Sequence, residues 1–500
     1  MKIFSAAQIR EADEFTIEHE PIKSINLMER ASRAFADWFE VNFDKSRCVY
    51  IFCGTGNNGG DGLAIARMLT IKNWKAKAIT VKKSSKSTQD FTFNYLKLAE
   101  VHEVADISRS EDLKINLTEN DIVIDAIFGS GLTRPVRGIY SKVIAFINNS
   151  KAEVVSVDVP SGLFIDRHSG DGEIICADRV LSFQHPKLAF LMPENQNYVK
   201  SWSTIDIGLH PDYIRDTATP YEFVDQAFVT KTIKPRSKFA HKGNYGSALI
   251  VAGSYGKIGA SVLCAKACMK AGAGLVTAHV PACGYQIMQT SVPEVMVTTD
   301  FGERFLSGLP DLSHYDAIGI GPGIEKHSDT FEVVAQLLSN FHKPVVVDAD
   351  AINIIAIEKS FLKKLPEGSI LTPHPGEFKR LAGPWSDDFE KLEKQISLSK
   401  SHKVYIVLKG AHTSVTSPEG KVFFNATGNP GMATGGSGDV LTGMITSFLG
   451  QGYVPEEAAI LGVYLHGLAG DLGALNLGEE SLMASDIISY IPQAVKKLKK

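Results

Sequence analysis

Asn429-Pro-Gly-Met-Ala-Thr-Gly-Gly-Ser-Gly-Asp439 runs directly into the apolar segment Val440-Leu-Thr-Gly-Met-Ile445. The first stretch combines four glycines, two hydroxyl side chains and one carboxylate just ahead of a predicted helix. Glycines let a ligand approach the backbone, and the free amides at a helix N-terminus favour a bound phosphate. Asp439 adds a proton acceptor, so the stretch predicts phosphoryl chemistry. The alternative is a glycine-rich surface turn in which Asp439 only caps the helix.

Apolar β-rich runs alternate with helical patterns along the 500-residue chain, which indicates an α/β fold with largely parallel sheets. The segment 212–236 contains Pro220 and Pro235 and has no long period, so we predict two domains, 1–220 and 221–500. The predicted strands are Cys48–Cys53, Ala76–Val81, Asp121–Ile127, Val154–Val157, Val180–Phe183, Ala248–Ala252, Leu275–Val280, Ala317–Ile320, Val345–Val347, Ile370–Thr372 and Tyr405–Leu408. The predicted helices are Ala6–His19, Leu63–Ile71, Gly259–Ala271, Val440–Leu449 and Pro455–Leu475.

Composition excludes several classes of protein. A net charge of −4 argues against a general nucleic-acid binder, which needs a basic face. The N-terminus lacks the apolar core of a signal peptide, and we find no apolar run of about 20 residues, so we expect a cytoplasmic protein that does not cross a membrane. Six scattered cysteines without a Cys-x-x-Cys pair indicate reduced thiols. Cys264 and Cys268, four residues apart, are either buried thiols of an alanine-rich helix or a metal-binding pair.

A second glycine-rich stretch, Gly54-Thr-Gly-Asn-Asn-Gly-Gly-Asp-Gly62, follows the strand Cys48–Cys53 and has the Gly-x-Gly-x-x-Gly spacing of dinucleotide-binding turns. The acid that binds a ribose in such sites is absent from the end of the second strand. Val81-Lys-Lys-Ser-Ser-Lys86 stands there instead, and its basic residues either bind phosphate or are solvated. The stretch therefore predicts a nucleotide site that differs from that of an ordinary dehydrogenase.

Two acids end further strands of the first half, Asp125 and Asp158. The carboxyl ends of parallel strands meet in one crevice, where Asn58, Asp125 and Ser161 offer the oxygen ligands that hard cations prefer. Asp158 is placed to give or take a proton above such a cation. The alternative is that both acids only cap the turns that follow their strands.

Three motifs in this half occur in a characteristic order: Gly54–Gly62, Asp125-Ala-Ile-Phe-Gly-Ser-Gly-Leu132 and Val157-Asp-Val-Pro-Ser-Gly-Leu163. Together they resemble the NAD(P)H-hydrate epimerase (YjeF N-terminal) family over residues 1–215. The resemblance implies a Rossmann-like three-layer α/β/α domain that interconverts the R and S hydrates of NADH and NADPH at C6 of the nicotinamide ring. It implies proton transfer by Asp158 and potassium bound by Asn58, Asp125 and Ser161. The substrate-binding residues that it implies are Asn57, Asn58, Gly59, Gly60, Asp61, Gly129, Ser130, Gly131, Leu132, Thr133, Arg134, Pro135, Tyr140 and Asp158.

Polar residues at strand ends also mark the second half. Lys409 follows the strand Tyr405–Leu408, where its ammonium can meet a phosphate or simply be solvated. His374 lies between two prolines after another strand and either binds a substrate or stabilises a turn. Gly321-Pro-Gly323 permits close approach of a ligand to the backbone and is equally compatible with a plain turn.

Six motifs of this half, taken in order, resemble the ADP-dependent NAD(P)H-hydrate dehydratase (YjeF C-terminal) family, of ribokinase-like fold, over residues 235–495. They are His241-Lys-Gly-Asn-Tyr-Gly246, Gly272-Ala-Gly-Leu-Val-Thr277, Gly321-Pro-Gly323, Leu371-Thr-Pro-His-Pro-Gly-Glu-Phe378, Lys409-Gly-Ala-His-Thr413 and Asn429–Asp439. The resemblance implies ADP bound at Lys409, Gly410, Ala411, His412, Thr413, Asn429, Gly435, Gly436, Ser437 and Gly438, with Mg²⁺ at its phosphates. It implies the S hydrate bound at Ala260, Gly323, His374 and Asp439, with Asp439 accepting the proton of the C6 hydroxyl.

The whole chain is thus expected to be a bifunctional enzyme of metabolite repair that acts on NADHX and NADPHX with ADP, giving NAD(P)H, AMP and phosphate. We expect no nucleic-acid or membrane partner, and we expect a homo-oligomer. One alternative is a ribokinase-like vitamin or heterocycle kinase fused to a ligand-binding domain. Another is a first half that serves as a non-catalytic ligand-sensing or scaffold module.

Overall fold

The computed structural model of the protein describes residues 1–82 and 86–499. The chain forms two compact units, one of Lys2–Thr219 with Asp387–Phe389, the other of Met1, Pro220–Ser386 and Glu390–Lys500. Of the basic residues that follow the second strand, Lys83 lies outside the described residues, and Lys82 forms an ion pair of 2.8 Å with Asp106. The predicted functional boundary at residue 220 stays a prediction.

The first unit is built on a parallel sheet of seven strands in the order β3-β2-β1-β4-β5-β6-β7. Its strands are β1 (Cys48–Cys53), β2 (Lys75–Val81), β3 (Val104–Ile107), β4 (Asp121–Ala126), β5 (Glu153–Val157), β6 (Arg179–Phe183) and β7 (Trp202–Ile205). Its helices are α1 (Ala6–His19), α2 (Ser24–Asn42), α3 (Asn57–Ile71), α4 (Gln89–Ala99), α5 (Ile139–Asn148) and α6 (Pro211–Asp216).

Side chains of this sheet alternate between two hydrophobic cores. In β1, Val49 and Ile51 pack in one core with α2 and α3, whereas Phe52 packs in the other with α5. Period-two alternation sends successive side chains to opposite faces, and both faces here are apolar because helices cover both. The unit therefore has the predicted three layers.

The second unit contains a sheet of ten strands in the order β11-β10-β9-β12-β13-β14-β15-β16-β17-β8, in which β16 runs antiparallel to both of its neighbours. Its strands are β8 (Tyr221–Val224), β9 (Ser247–Val251), β10 (Leu275–Val280), β11 (Met296–Thr299), β12 (Ala317–Ile320), β13 (Val345–Val347), β14 (Ile370–Leu371), β15 (Tyr405–Leu408), β16 (Ser414–Thr416) and β17 (Val422–Asn425). Its helices are α7 (Gln226–Thr232), α8 (Ile258–Ala271), α9 (Tyr285–Ser291), α10 (Ser328–Asn340), α11 (Ala349–Ile357), α12 (Pro375–Ala382), α13 (Asp388–His402), α14 (Ser437–Gly450), α15 (Pro455–Leu477) and α16 (Ala484–Leu498).

Strand β9 shows the same alternation in this unit: Leu249 and Val251 pack with α10 and α11, and Ile250 packs with α8 on the other face. Helices again cover both faces, so the predicted α/β architecture of the second half is confirmed. Cys264 and Cys268 are free thiols buried in α8, as its alanine-rich composition predicts.

Helix α3 begins at Asn57, six residues before the predicted start at Leu63, so the substrate residues 57–61 that the resemblance implies form the start of this helix. Glycine has a low helix propensity, which hides this start in the sequence. The tertiary structure requires it, since a Cβ on Gly59 would lie 1.8 Å from the carbonyl oxygen of Gly54. Glycine is thus needed where the helix meets the end of β1.

Two further expectations need correction. Helix α14 begins at Ser437, so Asp439 belongs to its first turn and does not precede it. The 23-residue helix α15 is long and apolar enough to span a membrane by length and composition, contrary to the sequence estimate. Its most apolar window is 78% buried inside the protein, which is typical of a core helix.

Candidate active sites

A cavity of about 650 Å³ opens at the carboxyl ends of β1, β4, β5 and β6 in the first unit. Ligand sites of open parallel sheets lie at this edge, and the volume is within the usual range for small-molecule sites. The predicted substrate residues in its wall are Asn57, Asn58, Asp61, Gly129, Ser130, Gly131, Leu132 and Asp158. The structure therefore brings the three sequence motifs of this half together.

Other predicted substrate residues do not line this cavity. Gly59 and Gly60 are buried in α3, and Thr133, Arg134 and Pro135 are exposed beyond the cavity wall. Tyr140 lies in α5, where its ring centroid is 4.8 Å from that of Phe128.

Asp125, near the end of β4, is fully buried. Its carboxylate accepts hydrogen bonds from Ser156 Oγ at 2.8 Å, Ser161 Oγ at 2.5 Å, Ser161 N at 2.8 Å and Ile127 N at 3.3 Å. Burial raises the pKa of Asp125 although these hydrogen bonds act in the opposite direction. The carboxylate thus ties the ends of β4 and β5 together.

The side chain of Asn58 has an unpaired oxygen that is relevant to cation binding. Its Nδ2 donates to the carbonyl oxygen of Val157 at 3.0 Å, and its buried Oδ1 has no hydrogen-bond partner among residues 1–82 and 86–499. An unpaired buried oxygen is costly, and an ion can satisfy it. With Asp125 and Ser161 also supplying oxygen, the donor set fits a hard monovalent cation.

Asp158 follows β5 in the left-handed region, with φ of 66°, a conformation that aspartate tolerates better than most residues. Its Oδ1 lies 2.9 Å from Lys187 Nζ and accepts a hydrogen bond of 3.0 Å from the Phe183 amide. Asp158 is 7% exposed and Lys187 only 1%. The cavity therefore holds a buried ion pair whose carboxylate is one of its lining groups.

Lys187 is a charged residue of the cavity wall that the sequence analysis missed. It comes shortly after β6, so the rule that identified Asp125 and Asp158, polar residues at strand ends, would have found it. Its Nζ also donates to Ser182 Oγ at 2.9 Å and to the His185 carbonyl oxygen at 3.0 Å.

Two more cavity acids have perturbed pKa values. Burial, reinforced by the charge of Asp158, raises the pKa of Asp13 to about 7. Burial also raises the pKa of Asp61 well above its usual value, although Ser32 donates a hydrogen bond of 3.2 Å to it. Asp13 lies in α1, far from every motif, and gave no signal in the sequence.

In the second unit, Asp439 lies in the first turn of α14, after Gly436, whose φ of 88° is left-handed. Burial raises the pKa of Asp439 to about 7, and the charge of Asp348 adds to this, while Lys409 opposes it. A group with this pKa is suited to accept a proton near neutral pH.

Lys409 is held beside the start of α14. Its Nζ lies 2.8 Å from Asp348 Oδ1, and Thr442 Oγ1 donates to Asp348 Oδ2 at 2.6 Å. Burial by itself lowers the pKa of Lys409, but the nearby Asp348 and Glu377 carboxylates outweigh it and raise the pKa. A Cβ on Gly438 would lie 3.3 Å from Lys409 Nζ, so glycine allows the ammonium to approach the helix.

Asp348 and Thr442 were also missed. Asp348 directly follows β13, so the strand-end rule applies to it as well. Thr442 is one turn into α14, in a segment that reads from the sequence as ordinary helix core.

The predicted hydrate residues of the second unit form two contacts. A Cβ on Gly323 would lie 3.1 Å from the Cβ of Ala260, so these two are neighbours. His374 Nε2 lies 3.3 Å from Glu377 Oε1, and Glu377 Oε2 lies 3.9 Å from Lys409 Nζ. The His374 backbone amide donates to the same Glu377 carboxylate at 2.8 Å, because the two residues form the cap of α12.

The predicted ADP residues lie on the loop after β15, on the loop that leads into α14, and in the first turn of α14, which contains Ser437 and Gly438. In the first loop, Thr413 Oγ1 donates to the Gly410 carbonyl oxygen at 2.8 Å, and His412 Nδ1 lies 2.8 Å from the Asn425 carbonyl oxygen.

The other loop ends at α14. Its Asn429 Nδ2 donates to Asp471 Oδ1 at 2.9 Å, and Ser437 Oγ lies 3.4 Å from Nε2 of the buried His466. A Cβ on Gly435 would meet nothing within 4 Å. Within the described chain no three His, Cys, Asp or Glu side chains form a cluster that could hold a metal ion.

Two family models match the chain. Residues 24–189 match the model described as YjeF-related protein N-terminus, and residues 248–493 match the one described as NAD(P)H-hydrate dehydratase. A solved structure of the ADP/ATP-dependent NAD(P)H-hydrate dehydratase from Bacillus subtilis, co-crystallized with ATP and Mg²⁺, is 30% identical. It matches with a TM-score of 0.49 and covers 55% of this chain and 98% of that one.

Relatives match over the full length. The bifunctional NAD(P)H-hydrate repair enzyme Nnr of Moorella thermoacetica is 36% identical over 100% of this chain and 97% of its own. The protein of the same name from Thermofilum pendens is 34% identical over the same shares. Both halves are therefore matched in one relative, in the same order. The chain belongs to the family of bifunctional NAD(P)H-hydrate repair enzymes.

Proposed function

We propose that the first unit epimerises the R and S hydrates of NADH and NADPH and that the second unit dehydrates the S hydrate with ADP. One observation carries this proposal: each unit holds an aspartate close to a lysine at the carboxyl edge of a parallel sheet. Asp158 forms an ion pair with Lys187, and Asp439 interacts electrostatically with Lys409. A proton acceptor next to a fixed positive charge serves both reactions.

Epimerisation requires the C6 hydroxyl to leave and water to return on the other face of the ring. The hydroxyl oxygen takes a proton, the C6–O bond breaks, and the ring nitrogen supplies the electron pair that forms a C6–N1 double bond. Water then attacks C6 and loses a proton. Asp158 is the group that we assign to proton transfer, and Lys187 fixes its carboxylate in the cavity.

Potassium fits beside this site. Asn58, Asp125 and Ser161 would hold the ion, and the unpaired Asn58 Oδ1 supports that assignment. When bound, the ion supplies positive charge near the substrate and fixes the loop ends.

Dehydration begins when Asp439 removes the proton of the C6 hydroxyl, whose oxygen attacks the β-phosphorus of ADP and releases AMP. The amides of residues 435–438 and the Lys409 ammonium stabilise the phosphoryl group during transfer. The ring nitrogen then expels phosphate from C6, and loss of a proton from C5 completes NAD(P)H. We assign nucleotide contacts to residues 409–413, Asn429 and residues 435–438, and hydrate contacts to Ala260, Gly323 and His374.

Mg²⁺ is expected at the nucleotide phosphates, because this ion usually binds through phosphates and only one or two carboxylates. The six free cysteines support a reducing compartment, and we assign the protein to the cytoplasm.

Product analysis tests the proposal against the kinase alternative. Incubation with the S hydrate and ADP should give AMP, phosphate and NADH in equal amounts. A vitamin or heterocycle kinase would instead convert ATP to ADP and leave the hydrate unchanged. Failure to form NADH from the S hydrate with either nucleotide would reject the dehydratase assignment.

A further inference from the structure

If the first unit is the epimerase proposed above, it must invert the configuration at C6, and this inversion requires proton transfer on both faces of the ring. The hydroxyl leaves from one face of the nicotinamide ring and water adds to the opposite face. A carboxyl group reaches only the face on which it lies. A cavity that catalyses both steps therefore needs a proton-transferring group on each side of the ring.

Asp13 is a second carboxyl group in the wall of the cavity that contains Asp158. The two residues come from different elements, since Asp13 lies in α1 and Asp158 follows β5. Asp158 is engaged by Lys187 and by a backbone amide. Within residues 1–82 and 86–499, the Asp13 side chain forms no hydrogen bond or ion pair, so it is available to a ligand.

Neither helix capping nor solvent exposure explains why an aspartate stands at position 13. It caps no helix, because Ser5 caps α1. Its neighbour Glu14 is exposed, whereas Asp13 is half-buried without a partner. Placing a carboxyl there without compensation costs stability, which is common for groups retained for function.

We propose that Asp13 is the second acid–base residue of the epimerase cavity and serves the face of the nicotinamide ring that is turned towards helix α1, while Asp158 serves the other face. In one direction, the Asp13 carboxyl gives its proton to the C6 hydroxyl, and water departs as the C6–N1 double bond forms. Another water attacks C6 from the opposite face, the electron pair returns to N1, and the Asp158 carboxylate takes the proton. The reverse reaction uses the two residues in exchanged roles.

The electrostatics of the cavity agree with this division. Burial first, and then the charge of Asp158, raise the pKa of Asp13 to about 7, while Lys187 opposes them and Glu14 adds slightly. Asp61 is a further acid that interacts with both Asp158 and Asp13. The raised pKa lets Asp13 carry the proton that the acid step requires, beside a carboxylate that Lys187 holds in an ion pair.

The test measures R/S exchange of NADHX without ADP, by chromatography of the two epimers, in the full-length protein. Asp13→Asn should lower the exchange rate by about 10²–10⁴-fold, and Asp13→Glu should recover part of that loss. Glu18→Gln removes an exposed carboxylate from the same helix and should leave the rate unchanged. Dehydration of the pure S hydrate should be unaffected in all three variants.

The pH profile supplies a readout that a purely structural role would not change. Exchange in the wild type should fall above about pH 7, where the pKa of Asp13 predicts that this residue loses its proton. This decrease in rate at high pH should be absent from the residual activity of Asp13→Asn. Exchange at the wild-type rate with an unchanged profile in Asp13→Asn overturns the proposal, and so does an Asp13→Glu variant no faster than Asp13→Asn. A wild type that shows no exchange would instead reject the epimerase assignment itself.

Discussion

Carboxylates lie near lysines in both units, but the two sites differ in which carboxylate the lysine contacts directly. Asp158 is in direct contact with Lys187, so removing either partner leaves a charge in a buried place. Lys409 pairs with Asp348 instead, and burial together with the charge of Asp348 raises the pKa of Asp439 to about 7, although Lys409 opposes them. The first aspartate depends on its lysine for stability, whereas the second opposes stability once it ionises.

Lys187→Met should destabilise the protein by about 3–5 kcal/mol, because Asp158 then remains buried without its partner. Adding Asp158→Asn should recover most of that loss without restoring epimerisation. Urea denaturation of the two single variants and the double variant measures the coupling. If the double variant is as unstable as the sum of the single ones, the ion pair is not the source of the effect.

Asp439→Asn should abolish dehydration and yet raise the free energy of unfolding at neutral pH. The pKa of Asp439 is about 7 in the folded protein and 3.8 in the unfolded chain, so ionisation favours unfolding. The stability gain over wild type should therefore be absent below about pH 4, grow between pH 4 and 7, and stay constant above, reaching on the order of a few kcal/mol. Thermal unfolding at several pH values checks this, and a gain that is independent of pH would contradict the assigned pKa.

At the scale of elements, most strands were predicted to within one residue, because buried parallel strands are short apolar runs. The start of α3 was missed, because contacts between Gly59 and the end of β1 decide it and no local propensity does. The strand-end rule found Asp125, Asp158 and Lys409. Asp13 could not be found in this way, because only tertiary packing brings α1 to the sheet edge.

Two glycine-to-alanine substitutions at the start of helix α3 test whether the close backbone approach there constrains the fold. Gly59→Ala should destabilise the first unit and reduce epimerisation, because its Cβ would lie 1.8 Å from the Gly54 carbonyl oxygen. A Cβ on Gly56 would meet nothing within 4 Å, so Gly56→Ala should keep the melting temperature of the wild type. Differential scanning calorimetry compares the two, and equal melting temperatures would show that the close approach at Gly59 does not constrain the fold.

At the scale of the whole molecule, two sheets carry two separate sites that act on the two epimers of one damaged cofactor. The S hydrate is the substrate of the second site, and the first site converts the R hydrate into it. Because we assign a different acid to each site, a substitution in one should leave the chemistry of the other intact. We therefore expect the loss of either activity to be visible separately in a single absorbance trace.

The most direct measurement follows the NADH absorbance band after ADP is added to mixed R and S NADHX. The wild type should recover all of the NADH, Asp158→Asn should recover only the S fraction at the normal rate, and Asp439→Asn should recover none while still exchanging the epimers. Full recovery of the R fraction by Asp158→Asn at the wild-type rate, or any NADH formed at that rate by Asp439→Asn, would contradict the account.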